Sequence, residues 1–226
     1  MPDDAFAAIQ AVLSSFNARD RAGVKPSPER PLVCISRDYG ALGDEIAAEL
    51  ARRLDIDLWD SAILDKLSKR SHTDPHTARV LDEAVGKAKD LWLYSLLTHQ
   101  DLSPQSIQSH LVNVIVSMGR LGGVIVGRGA HIVLARSPGL KVRIVGSTEA
   151  CVHRVAKARQ LTPDAARHEV DRINHERAQF IWDTYQVRQN DPHLYDLVIN
   201  TDHLSDVGAV VDMLLQAQKT VLSARA

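Results

Sequence analysis

Short apolar runs alternate along the chain with longer segments in which apolar positions recur every three or four residues. Five runs have the length and β-branched content of buried strands, and they lie at residues 32–35, 56–60, 124–126, 141–145 and 197–200. Helical spacing fills the intervals between them. Strands that are apolar without alternation are buried on both faces, so the pattern predicts an α/β fold in which a five-stranded parallel sheet carries helices on both sides.

The chain is organised around residues 32–54, where a strand, a glycine turn and an amphipathic helix follow one another. This order binds phosphate in mononucleotide-binding folds, because the N–H groups of the turn and the helix dipole face the anion. A complete phosphate-binding loop ends in Gly-Lys-Ser/Thr. The residues that follow Gly40 here are Ala41, Leu42, Gly43, Asp44 and Glu45. The spacing alone is therefore also typical of an ordinary strand-to-helix turn.

Charged residues follow the predicted strands, at the edge where the ligand crevice of a parallel sheet opens. They are Arg37, Asp38, Asp60, Arg128 and Asp202, and the helices after the fourth strand add Arg154, Arg172 and Arg177. A planar guanidinium suits phosphate oxygens, and phosphoryl transfer depends mainly on positioning and charge neutralisation. Any one arginine is also typical of a solvated helix face. Arg128 differs, because it stands between two glycines at the end of a buried strand, which favours a functional role.

Composition narrows the class of protein. A chain of 226 residues with 45% hydrophobic content supports one α/β domain with insertions, or two small lobes. The net charge of -1 gives no sign of a nucleic-acid or membrane surface. The two cysteines lie in or beside apolar segments, the ten histidines form no metal-binding pattern, and no apolar run reaches about 18 residues. These observations predict a cytoplasmic protein.

Three segments resemble the cytidylate-kinase-like proteins, which are P-loop relatives of the nucleoside monophosphate kinases. The segments read ISRDYGALGDEIAAELARRL, VIVGRGAHIVL and NDPHLYDLVINTDHLS, and the resemblance spans about residues 31–218 in the family's order. Residues that keep the family's pattern in the first segment are Ser36, Arg37, Tyr39, Gly40, Gly43, Glu45, Ile46 and Ala47. The first segment departs from this pattern at Asp38, Ala41, Leu42 and Asp44, where members of the family typically carry Glu, Ser, Gly and Arg respectively.

The resemblance implies a P-loop NTPase-like three-layer sandwich over residues 31–220, preceded by an N-terminal helix and linker at 1–30. Within it, a helical substrate-side insertion is expected at 61–121 and lid-like helices at 150–190. The resemblance also implies that ATP and Mg²⁺ are the cofactors and that a small nucleotide is the partner.

The same resemblance implies roles for individual residues. Those expected to bind the donor nucleotide are Ser36, Arg37, Tyr39, Gly40, Ala41, Leu42, Gly43, Asp44 and Glu45. Those expected to neutralise charge in catalysis are Arg37, Arg128, Arg154, Arg172 and Arg177. Asp60 and Arg128 are expected at the acceptor, and Glu45 or Asp38 is expected to hold magnesium through water.

Two kinds of function stay open on these residues. One is a kinase that transfers the γ-phosphoryl group of ATP to a nucleoside monophosphate, with CMP as the family-based choice. The other is a degenerate member that binds a nucleotide or another anion without turnover, or a partner-binding module that uses its N-terminal helix, which would also suit a homodimer. The missing Lys and hydroxyl favour the second, whereas the retained arginines favour the first.

Overall fold

The computed structural model describes residues 30–60 and 107–225. The predicted N-terminal helix lies outside the described residues, as do residues 61–106 of the predicted insertion. Within the described residues there is no helix long and apolar enough to cross a membrane.

A parallel sheet of five strands, in the order β2-β3-β1-β4-β5, forms the centre of the described fold. Its strands are β1 (Leu32–Arg37), β2 (Leu58–Trp59), β3 (Gly123–Val126), β4 (Leu140–Val145) and β5 (Leu197–Asn200). The α-helices of the described residues are α1 (Gly43–Leu54), α2 (Ile107–Leu121), α3 (Ala130–Val133), α4 (Thr148–Arg159), α5 (Pro163–Tyr185) and α6 (Val207–Arg225). A short 3₁₀ helix, Pro192–Leu194, precedes β5. The predicted α/β class and five-stranded parallel sheet are confirmed.

The two faces of the sheet bury different helices. Val33 and Ile35 of β1 pack in one apolar cluster with residues of α1, α4 and α6. Leu32 and Cys34 pack in the other, with residues of α2 and α3. Because successive strand side chains point to opposite faces, Arg37 belongs to the α1 face and Ser36 belongs to the α2–α3 face.

The ends of the elements follow local chemistry, with two departures from the sequence pattern. Ser147 and Thr162 cap α4 and α5 by accepting hydrogen bonds from backbone N–H groups in the first turn of each helix. β1 runs on to Arg37, rather than ending at residue 35, because its last two residues pair with β4. α6 continues to Arg225, beyond residue 218, where the family resemblance ends.

Both cysteines are free and buried, in keeping with their places in or beside apolar segments of the sequence. Cys34 lies in the middle of β1, and burial raises the pKa of its thiol to about 12. Cys151 lies in α4, and burial, with Asp38 nearby, raises the pKa of its thiol to about 11. Both side chains therefore act as small apolar core residues at neutral pH.

Candidate functional site

The turn between β1 and α1 is held through its carbonyl groups. Arg154 donates hydrogen bonds to the carbonyls of Gly40 (3.3 Å) and Thr201 (2.6 Å). The Thr201 hydroxyl donates to the carbonyl of Ala41 (3.2 Å). The N–H and C=O of a trans peptide point in opposite directions, so the N–H of Leu42 points away from Thr201. The Ala41 N–H donates to the carbonyl of Asp38. The N–H groups of Leu42 and of the first turn of α1 are therefore those that suit an anion.

Left-handed backbone shapes this turn at two positions. Gly40 has φ 83°, and a Cβ there would lie 2.8 Å from the carbonyl oxygen of Cys151, so the position requires glycine. Leu42 has φ 62° and precedes α1 without a side-chain capping hydrogen bond. A left-handed conformation costs an L-residue about 1–2 kcal/mol. Leu42 therefore stores strain where the resembling proteins carry glycine.

Arg37 runs from the end of β1 across the start of α1. Its aliphatic stem lies against Gly43, where a Cβ would overlap it. Its Nε donates to Asp44 Oδ1 at 2.9 Å. One of its terminal nitrogens lies against Gly127, 2.8 Å from where a Cβ on that residue would be. Asp44 thus pairs with Arg37 and fixes its orientation.

A cavity of about 50 Å³ lies at the carboxyl ends of β1 and β3, beneath α5. We call it the arginine cavity. Its lining residues are Ser36, Arg37, Gly127, Arg128, Gly129, His131, Arg177, Phe180, Ile181 and Gln189. None of these lining residues is acidic, and three of them are arginines.

Arg128 enters the arginine cavity from a strained turn. It has φ 52° and stands between Gly127 (φ 81°) and Gly129 (φ 76°). Its guanidinium lies 4.8 Å from the ring centre of Phe180, and its carbonyl accepts a hydrogen bond from the Tyr185 hydroxyl at 2.8 Å. Strained non-glycine residues cluster at functional sites, and here the strained backbone aims a cation at the crevice.

Arg177 enters the same cavity from α5. It donates to the carbonyl of Arg37 at 3.0 Å, and its guanidinium lies 5.8 Å from the ring centre of Tyr39. Burial and the neighbouring Arg37 charge lower the pKa of Arg177 to about 10. An anion placed between these arginines would relieve that repulsion.

Further contacts hold α5 against the first turn. The backbone N–H of Tyr39 donates to Asn174 Oδ1 at 2.8 Å, and its hydroxyl donates to Glu169 at 2.9 Å. Arg159 of α4 donates to the same hydroxyl and forms an ion pair with Glu169. Asn174 therefore already occupies one N–H group of the turn.

The structure brings Arg37, Arg128 and Arg177 together but does not bring every predicted residue to them. Arg172 lies exposed on α5 and pairs with Glu176 four residues on. Arg154, expected to neutralise charge in catalysis, donates to the carbonyls of Gly40 and Thr201. Asp60 follows β2 and does not line the arginine cavity.

The predicted magnesium residues do not form a site for direct metal ligation. Asp38 forms an ion pair with Arg143, and Glu45 is exposed in the first turn of α1. In the part of the chain that the structure describes, no group of three or more His, Cys, Asp or Glu residues is placed to hold a metal ion. These residues fit the ion poorly, so magnesium enters below only as the ion that accompanies ATP.

A buried polar network behind the cavity was not predicted from the sequence. Arg143 of β4 donates to Ser36 Oγ at 3.2 Å, and Gln189 donates to the same oxygen at 3.0 Å. The Tyr195 hydroxyl donates to the carbonyl of Gln189 (2.8 Å) and lies 3.1 Å from His131 Nε2. Burial and the nearby Arg143 lower the pKa of His131 to about 3, so its ring is neutral at pH 7. The sequence holds one signal of this network, which is the charged residue Arg143 inside the apolar strand predicted at 141–145.

The structure resembles solved structures over most of its length. An uncharacterized protein from Eubacterium ventriosum ATCC 27560 has a TM-score of 0.65 and 20% identity, with 84% of this chain and 99% of that chain covered. At that identity the likeness shows the fold alone. Shikimate kinase from Bacteroides thetaiotaomicron gives a TM-score of 0.45 and 15% identity (84% and 98% covered). TT1252 from Thermus thermophilus gives 0.44 and 16% (84% and 98% covered), and TM-scores this low support no inference.

Sequence comparison places the chain in a family. Comparison with curated proteins gives no matching sequence. A sequence model of the cytidylate kinase-like family matches residues 32–203, which include all five strands and the arginine cavity. The chain belongs to the cytidylate kinase-like family.

Proposed function

We propose that this protein is a nucleotide kinase that transfers the γ-phosphoryl group of ATP, supplied as its magnesium complex, to a nucleoside monophosphate. The observation that carries the proposal is the convergence of Arg37, Arg128 and Arg177 on one cavity beside the N-terminus of α1. Membership of the cytidylate kinase-like family supports the same reaction and makes CMP the first acceptor to test.

In this proposal the donor phosphates lie against the turn that runs from Gly40 to Glu45. The N–H groups of Leu42 and of the first turn of α1 bind them together with the α1 dipole, and Gly43 makes room for the stem of Arg37. Arg37, oriented by Asp44, supplies the cation that a lysine supplies in a complete phosphate-binding loop. Its guanidinium therefore lies between the donor and the arginine cavity.

The acceptor phosphate lies in the arginine cavity, against Arg128. Arg177 reaches the same space from α5 and neutralises charge that develops on the transferred group. Such transfer requires little covalent chemistry from the protein, since positioning and electrostatic stabilisation supply most of the rate. Closure by α5 excludes water, which would otherwise compete as the acceptor.

Nucleotide binding without transfer is the second candidate, and two observations favour it. The N–H of Tyr39 is engaged by Asn174, and the turn lacks the lysine and hydroxyl that end a complete phosphate-binding loop. Either feature weakens the contact with a donor phosphate. Calorimetric titration with MgATP and a kinase assay on the same sample separate the two candidates, because this second one predicts binding with no turnover.

Two arginines on α5 give a matched test of the kinase. We expect Arg177→Ala to lower kcat/KM for MgATP and the best nucleoside monophosphate roughly 100-fold, as loss of one transition-state donor does. Arg172→Ala removes only an exposed ion pair, so its activity should stay within about twofold. A coupled ADP-release assay across CMP, UMP, AMP and GMP measures both. Equal effects of the two substitutions would contradict the assignment of Arg177.

A further inference from the structure

The turn after β3 carries Arg128, but its own sequence does little to fix the conformation of that residue. Arg128 has a left-handed backbone (φ 52°) and stands between Gly127 and Gly129, which also have positive φ. Glycine adopts most backbone conformations readily, so these neighbours do not restrict Arg128. Strained backbone persists only where the surrounding structure holds it. Contacts from outside the turn must therefore keep Arg128 in place.

A side chain of α5 holds the backbone of Arg128. At Gly127 the turn is fixed by backbone groups, because its N–H donates to a carbonyl of β1 (2.9 Å) and its carbonyl accepts from the first residue of α3 (3.1 Å). The next carbonyl, that of Arg128, accepts a hydrogen bond from the Tyr185 hydroxyl at 2.8 Å. This carbonyl belongs to the peptide plane beside the Arg128 Cα. Its orientation therefore helps to set the direction in which the arginine side chain leaves the backbone.

The ring of Tyr185 also contacts the turn. It lies against Gly129, where a Cβ would overlap the ring. Burial raises the pKa of Tyr185, so the hydroxyl keeps its proton over the pH range of an enzyme assay. The last residue of α5 thus packs on one residue of the turn and donates to the residue before it.

Phe180, five residues earlier in α5, holds the other end of Arg128. The guanidinium carbon lies 4.8 Å from the centre of the Phe180 ring, which is within the range of a cation–π interaction. The rings of Phe180 and Tyr185 meet edge to face, with centres 6.4 Å apart and planes at 78°. Each ring therefore supports the other, and together they contact both the backbone and the charged group of Arg128.

We propose that Tyr185 and Phe180 are positioning residues, which hold Arg128 where it binds the acceptor phosphate. Both act through Arg128 rather than on a substrate. The α5 residues that contact the donor turn, Asn174 and Arg177, lie earlier in the helix. This inference rests on the proposed function and extends it, because it assigns control of acceptor affinity to the C-terminal part of α5.

Two substitutions remove the two contacts separately. Tyr185→Phe removes the hydroxyl but keeps the ring against Gly129. We expect it to raise KM for the best nucleoside monophosphate roughly fivefold, as loss of one hydrogen bond does, while kcat and KM for MgATP stay within about twofold. Phe180→Leu keeps an apolar side chain and should raise the acceptor KM about threefold. The coupled ADP-release assay with CMP, UMP, AMP and GMP measures all three constants.

Ser117→Ala is the control for a purely structural effect. Ser117 is a buried residue of α2 whose hydroxyl also donates to a backbone carbonyl at 2.8 Å, that of Asn113. It does not line the arginine cavity. Both Ser117→Ala and Tyr185→Phe should lower the urea midpoint, but only Tyr185→Phe should raise the acceptor KM. An equal rise in both variants would mean that Tyr185 acts through stability alone, which overturns the inference.

A double substitution asks whether Tyr185 acts through Arg128. In Arg128→Gly there is no guanidinium to position, so adding Tyr185→Phe should change the calorimetric affinity for the nucleoside monophosphate less than twofold. A fivefold loss in that background, or an unchanged acceptor KM in Tyr185→Phe, overturns the inference. Phe180 is partly buried, so Phe180→Leu remains informative if Tyr185→Phe does not fold.

Failure of this inference is distinguishable from failure of the proposed function. Turnover by the unmodified protein supports the kinase whichever way the variants behave. If the unmodified protein binds a nucleoside monophosphate but phosphorylates none of the four, the proposed function fails and the titrations still decide the role of Tyr185. If it binds none of them, both the proposed function and this inference are overturned.

Discussion

Two glycine turns end neighbouring strands and present their residues to one crevice by opposite means. The turn after β1 is fixed through its carbonyls by Arg154 and Thr201, so it offers backbone N–H groups. The turn after β3, residues 127–129, is left-handed throughout and offers one side chain, Arg128. What the first turn presents to the crevice therefore depends on its backbone geometry, whereas what the second turn presents depends on the identity of a single residue.

The largest expected effect comes from removing the side chain that the second turn presents. Arg128→Gly should lower kcat/KM roughly 10²–10³-fold in the coupled kinase assay, since it deletes a cation at the transferred phosphate. Stability should stay within about 1 kcal/mol of the unmodified protein, because relief of the strained φ of 52° offsets the lost contact with Phe180. Urea unfolding measures the second quantity. A stability loss of several kcal/mol would mean that Arg128 is structural.

The backbone of the second turn can be tested separately from its side chain. Gly129→Ala adds a Cβ that overlaps the Tyr185 ring at a φ of 76°. It should lower the free energy of unfolding by about 2–4 kcal/mol, from overpacking together with left-handed strain. Gly208→Ala in α6 is the control, because the nearest atom is Asp206 Oδ1 at 3.2 Å. Similar urea midpoints for the two variants would refute the steric argument.

The second turn also leads into a buried histidine, which gives stability a pH dependence. His131 titrates near pH 3 when folded and near 6.5 when unfolded, so between these values the unfolded state binds more protons. Stability should therefore rise from pH 3 to about 6.5 and be complete above it. Between pH 7 and pH 5 the unmodified protein should lose about 2 kcal/mol more than His131→Gln does. His168→Gln, at an exposed position of α5, is the matched control in the same urea titrations.

The smallest expected effect lies in the first turn. Leu42→Gly lets the backbone of the turn approach a donor phosphate more closely, so MgATP should bind about fivefold more tightly by calorimetry, a gain of about 1 kcal/mol. Leu42→Ala removes only the bulk and should recover part of the gain. If both variants bind ATP no better than the unmodified protein, Leu42 does not limit donor binding.

The apolar runs in the sequence made the sheet predictable, but the sequence pattern could not decide which face of a polar helix is buried. The apolar strands revealed all five members of the sheet, with β1 drawn too short because Ser36 and Arg37 are polar. α5 carries polar residues nearly all round, so the sequence could not separate the buried Arg177 from the exposed Arg172. Arg143 and Gln189 meet only because the segment before β5 returns across the sheet, and no local pattern encodes that return.

The burial of both thiols has a practical consequence. Cys34 and Cys151 are the two cysteines of the chain, and their raised pKa values keep them protonated at neutral pH. Maleimides react with accessible thiolates, so we expect the unmodified protein to be unreactive towards such a label. A cysteine introduced at the exposed Met213 would then carry the single fluorophore on each molecule. Surface attachment and single-molecule measurements thus require no prior removal of native cysteines.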